Sequence, residues 1–70
     1  MSEINAKKYA GEVLRQLIKE YYSSQEEFAF AFDVDIRNVS RWINQGVNKV
    51  DIIQELALHF DVPLKSFLPD

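Results

Sequence analysis

Arg37, Asn38 and Arg41 fall at i, i+1 and i+4, so on a helix they share one face. Arginine can donate a bidentate pair of hydrogen bonds to the guanine edge, and asparagine can do the same for adenine. An α-helix fits the major groove of B-form DNA, so the chemistry open to this ridge is the reading of base edges. The plain alternative is a solvated helix surface, since arginine and asparagine are mostly exposed in any protein. Ile36, Ser40 and Asn44 point away from the same inner face, and Ile36 is able to touch a thymine methyl.

Other chemistries have little to stand on. His59 is the single histidine and there is no cysteine, which makes a poor metal site and rules out a disulfide or a cysteine-built zinc site. Glu26 and Glu27 are adjacent and do not share a helix face, so they suit the positive end of a helix dipole better than an acid/base pair. The two glycines, Gly11 and Gly46, lie too far apart for a phosphate-cradling loop. No catalytic residue, metal ligand set or cofactor is expected, and the chain is not expected to be an enzyme.

The ridge needs elements to hold it, and the sequence supplies them. Ser24 with Glu27 three positions on is the reciprocal capping arrangement that begins a helix, and Phe28, Ala29 and Phe32 give that helix an inner face. Asp33 tolerates the left-handed conformation of a sharp turn, and Val34 can fold back as an apolar plug. Asp35 is a good N-cap for a helix over about 36–44, with Val39, Trp42 and Ile43 inward and the turn at 33–35. Upstream, Tyr9, Ala10, Val13, Leu14, Leu17, Ile18 and Tyr21 predict an amphipathic helix from Ala6 to about Tyr22, after a polar lead at residues 1–5 with Asn5 as its cap. Downstream, Gly46 ends the 36–44 helix. Val50, Ile53, Leu56, Ala57 and Phe60 predict a fourth helix over Lys49 to Phe60, and Pro63 starts a last helical turn over Leu64 to Leu68. The expectation is one all-α domain over residues 6–70, a compact bundle of four helices plus a short fifth helical turn.

The run SQEEFA from Ser24, followed by Phe32, Val34 and NVSRW from Asn38, resembles the helix-turn-helix of the Cro and phage-repressor type, also called the XRE family. The likeness extends from about Gly11 to Leu68. It implies a lambda-repressor-like fold, a recognition helix entering the major groove, and two-fold pairing through the C-terminal region, here Ile52, Leu58, Phe67 and Leu68. It also implies phosphate contacts at Ser24 and Gln25, at Asn44 and Lys49, and through Lys8 or Arg15. The family commonly has a partly buried Arg/Glu ion pair where this chain has Ile18 and Ile43. Both members are apolar together, as replacing a buried pair requires, so these two isoleucines are expected to touch. Two further departures are Tyr22-Ser23, where a Gly-Leu break is usual, and Phe30, which replaces a polar residue. Tyr22 either lengthens the first helix or covers the core's edge. Phe30 either packs on Tyr21 or Tyr22 or forms a partner surface.

Seventy residues with 47% hydrophobic content suit one small domain. No stretch has the apolar length of a secretion signal or a membrane span, and the lack of cysteine suits a reducing cytoplasm. Net charge is −3, the wrong sign for a nucleic-acid binder, but its distribution is uneven. Residues 36–50 hold Arg37, Arg41 and Lys49 with no acid, while the remainder holds five basic against eleven acidic residues. The expected function is a double-stranded DNA-binding transcriptional regulator of the repressor type, a homodimer on a palindromic operator. Arg37 and Arg41 would be the main base readers, with Asn38 and Ile36 secondary. The rival expectation is a protein-interaction module on the same scaffold, favoured by the acidic total and Phe30.

Overall fold

A computed structural model describes residues 6–69, so the expected lead at residues 1–5 and its cap Asn5 lie outside the described residues. The order is α1 (Ala6–Tyr21), α2 (Gln25–Phe32), α3 (Ile36–Gln45), α4 (Val50–Phe60) and a 3-10 turn (Leu64–Phe67), with no strand among the described residues. This is the all-α bundle of four helices and a short fifth turn that the periodicity predicts. α3 runs one residue past the expected 44.

The helix starts follow from side-chain chemistry. Ser24 is extended at the N-cap of α2, and its Oγ accepts from the Glu27 backbone N–H at 3.0 Å. The return bond differs from the reciprocal cap. Glu27 Oε1 accepts from the Ser23 backbone N–H at 2.8 Å and from Ser23 Oγ at 3.0 Å, so two donors of the preceding residue take the carboxylate. These bonds, led by the Ser23 backbone N–H, hold the Glu27 carboxyl below its ordinary value. Asp35 caps α3, accepting from the Arg37 backbone N–H at 2.8 Å.

Two of the stops use one tripeptide. Phe32-Asp33-Val34 and Phe60-Asp61-Val62 both place Asp in the left-handed region, at φ 62° and 58°. In each, the valine N–H donates back to the alanine carbonyl five residues earlier, Val34 to Ala29 and Val62 to Ala57, both at 3.0 Å. This is the six-to-one bond of a Schellman cap, which turns the chain sharply and returns an apolar residue toward the core. Val34 and Val62 are accordingly half-buried against it.

α1 packs on α3 more extensively than any other pair of elements, and the two glycines make that contact possible. A Cβ on Gly11 would sit 2.3 Å from the Trp42 carbonyl oxygen and 3.2 Å from Gly46 Cα. Gly46, at φ 103°, has the Lys7 backbone within 2.5 Å of where its own Cβ would be, and Val47 N–H donates to the Lys7 carbonyl at 2.9 Å. Residues 35 positions apart thus meet at a single backbone crossing. Around it the core collects Leu14 and Ile18 from α1, Phe28 from α2, Val39 and Trp42 from α3, and Leu56 from α4. Ile18 lies inside this core and Ile43 is half-buried against it.

Three expectations about apolar residues need correction. Phe67 is fully buried and belongs to the core, because the 3-10 turn folds back onto α1 and α4. Val50 faces outward at 62% exposure, since the first residue of α4 overhangs the last position its stripe can bury. Phe30 does not pack on Tyr21 or Tyr22. Those rings contact Phe60 in the first case and Phe28, His59 and Phe60 in the second, while Phe30 stands 89% exposed between the inward Phe28 and Phe32. Tyr22 lies just beyond α1 and covers the core's edge, its hydroxyl 2.7 Å from His59 Nε2.

Candidate nucleic-acid interface

α3 has the two faces its sequence predicts. Val39 and Trp42 are buried, while Arg37, Arg41 and Asn44 are exposed, and Asn38 and Ser40 are half-buried at the flank. Ile36 opens the helix at 37% exposure. The polar residues are linked among themselves. Arg37 donates to Asp35 from Nε to Oδ1 at 3.2 Å and from Nη2 to Oδ2 at 3.0 Å, and its side chain is 87% exposed. Arg41 Nη2 donates to Asn38 Oδ1 at 2.6 Å, and Asn44 Nδ2 to Ser40 Oγ at 3.2 Å. The Arg37 guanidinium, and next the Arg37 backbone N–H, bring the Asp35 carboxyl down to about 2, so it is ionised throughout the neutral range.

Two clefts carry basic side chains, and the first lies at the α1/α3 crossing. The first, of about 350 Å³, is lined by Lys7 of α1, by Asn38 and Arg41 of α3, and by Asn48 and Lys49 of the following loop. It brings together three expected site residues and adds Lys7. The second, of about 280 Å³, lies between the end of α1 and the start of α2 and is lined by Arg15, Lys19, Ser24 and Gln25. Among the described residues no carboxylate lines either cleft. Glu12, whose side chain receives the Arg15 guanidinium, lies one turn back on α1 and holds that guanidinium toward itself. Ile36, Arg37, Ser40 and Asn44 line neither cleft, and Lys8 lies outside both.

Lys7 and Lys19 are exposed residues of α1 with no expected site role. Both sit on the α1 ridge that runs through Gly11, at 7, 11, 15 and 19, and a glycine within an amphipathic helix was the available signal that this ridge meets another element closely. Acidic groups gather elsewhere. A groove of about 520 Å³ is lined by Ala29, Phe30, Asp33, Val34 and Asp35. Among the described residues no group of three or more His, Cys, Asp and Glu side chains could hold a metal ion, and no helix is long and apolar enough to cross a membrane.

Comparison with known proteins finds no matching family model, no matching curated protein and no matching solved structure. The structure defines the class as a small all-α bundle whose third helix carries a polar ridge, with one cation-lined cleft against that helix and another between α1 and α2.

Proposed function

We propose that this chain is a sequence-specific double-stranded DNA-binding transcriptional regulator of the repressor or Cro kind, reading the major groove with α3. The observation that supports it most is the uncovered ridge of α3, with Arg37 and Arg41 exposed above an inward face of Val39 and Trp42. An arginine fork is the commonest specific partner of guanine, and the helix is of a size to enter the groove. The clefts supply phosphate contacts. Lys7 and Lys19, twelve residues apart on α1, are about 18 Å apart along its axis, which suits phosphates on the two banks of a groove roughly 12 Å wide. Lys49 serves one bank. Gln25 and the first amides of α2 serve the other, beside Ser24. The chain acts as a homodimer on a palindromic operator, pairing through exposed apolar residues of its C-terminal region, Leu58 and Leu68.

A second reading, a protein-interaction module on the same scaffold, is favoured by the exposed Phe30 beside Asp33 and Asp35. Titration with a mixed-sequence duplex at low and at moderate salt separates the two. DNA binding predicts attachment at low salt that weakens steeply as salt rises. No attachment at low salt removes the DNA reading and leaves the interaction module.

A further inference from the structure

Both arginines of the α3 ridge are held by an acceptor that precedes them on the chain. The Asp35 carboxylate takes three donors of Arg37: the backbone N–H, Nε–H and one Nη2–H. A guanidinium has five N–H groups in a rigid plane, so this grip leaves three of them, including both on Nη1, directed away from Asp35. The side chain is otherwise mostly in solvent, at 87% exposure, where an ungripped arginine samples many rotamers. Arg41 is held similarly by Asn38 Oδ1 at 2.6 Å. That bond has a second effect. Bidentate recognition of adenine needs the Asn38 carbonyl oxygen and amide together, so Asn38 would share that oxygen between the base and Arg41.

We propose that Asp35 and Asn38 are positioning residues for base recognition, holding the Arg37 and Arg41 forks in one orientation to read the bases. This rests on the DNA-binding reading above. Its distinguishing feature is a split in sign. Asp35 is an anion beside a surface that must approach phosphates, so its charge weakens attachment to every duplex alike. Its grip on Arg37 strengthens attachment only where the fork meets its base, because the ordering of a long side chain is done before binding. Loss of Asp35 therefore raises non-specific affinity and lowers discrimination, whereas a purely electrostatic or purely capping role moves both affinities in the same direction.

The test uses two duplexes, one recovered by selection from a random pool and one of mixed sequence, titrated by fluorescence anisotropy at low salt. Asp35→Ser keeps a capping oxygen for α3 but loses the two-pronged grip; Asp35→Asn is the second variant should serine not hold the helix start. The expected result is mixed-duplex affinity equal to or above that of the wild type, with the ratio of selected to mixed affinity falling about 2- to 12-fold, the factor set by ordering one long side chain. In an Arg37→Lys background, where no fork remains to hold, the Asp35 substitution should leave that ratio unchanged. A wild type that binds neither duplex overturns the DNA reading and this inference with it. A wild type that discriminates, alongside an Asp35 variant that folds and discriminates equally, overturns the inference alone.

Discussion

Asp35 joins helix start and recognition surface in one carboxylate, and that coupling is visible in acid. Its carboxyl is brought from the usual 3.8 to about 2, first by the Arg37 side chain and then by the Arg37 backbone N–H. A carboxyl depressed in the folded state contributes stability that is fully present above its unfolded value and is lost as pH falls through its folded value. The melting temperature of the wild type should therefore exceed that of Asp35→Ser by a constant margin above about pH 5, and the margin should shrink between about pH 4 and pH 2. Glu27 and Glu12 are also held low, by Ser23 and Arg15 respectively, so the wild-type curve alone mixes three groups, and the difference between the two proteins isolates Asp35. A margin unchanged down to pH 2 means the Asp35–Arg37 pair does not persist in solution. On the same ridge, Arg41→Ala should weaken binding to the selected duplex by roughly 1 to 3 kcal/mol and erase preference at one base pair. Specificity profiles of the two proteins against single-base variants check this, and an unaltered profile removes Arg41 from the readers.

The elements were legible from sequence where their boundaries are written in local chemistry. Ser24, Asp33, Asp35, Gly46 and Pro63 each act through their own backbone or the next few amides, so helix limits emerged within about a residue. Packing partners were less legible. Gly11 and Gly46 gave no local sign of meeting, because a crossing between segments 35 residues apart leaves no periodicity. Phe67 read as an edge residue since nothing in its own turn reveals that the 3-10 segment folds back. For Phe30 the sequence leaves packing and an exposed surface both open, because FAFAF offers three aromatics and only 28 and 32 share a face. The crossing makes its own prediction. Gly11→Ala places a methyl 2.3 Å from the Trp42 carbonyl, a backbone atom that cannot yield, so α1 must move off α3. Overpacking of this kind costs typically 1 to 3 kcal/mol, occasionally more, which chemical denaturation should report as a lower midpoint. The repeated Phe-Asp-Val stop predicts the opposite sign: Asp33→Gly relieves a left-handed non-glycine residue and should stabilise by up to about 1 kcal/mol. A destabilised Asp33→Gly would show that the aspartate contributes a contact beyond its backbone.

At the scale of the molecule, net charge and charge placement point in opposite directions. A chain at −3 should repel DNA at long range, yet five cations, Lys7, Arg15, Lys19, Arg41 and Lys49, line two clefts that contain no carboxylate among the described residues. At contact distances placement outweighs the total, because the Debye length is about 8 Å at physiological salt and charges on the far side are screened. Each phosphate neutralised releases counterions, so the four cations other than the base reader Arg41 would give a slope of log affinity against log salt near −3.6 per subunit, with Arg15 contributing least because it is paired with Glu12. Lys7 separates the cleft geometry from a generic attraction. Its place in the site depends on the Gly11–Gly46 crossing, which carries the start of α1 to the loop before α4. Lys7→Gln should therefore weaken binding uniformly across sequences and reduce the salt slope by about 1. Lys65→Gln, an identical change in charge outside both clefts, should leave the slope as it was. Equal slopes for the two variants would mean that the duplex senses only the overall charge and that the first cleft does not meet phosphate.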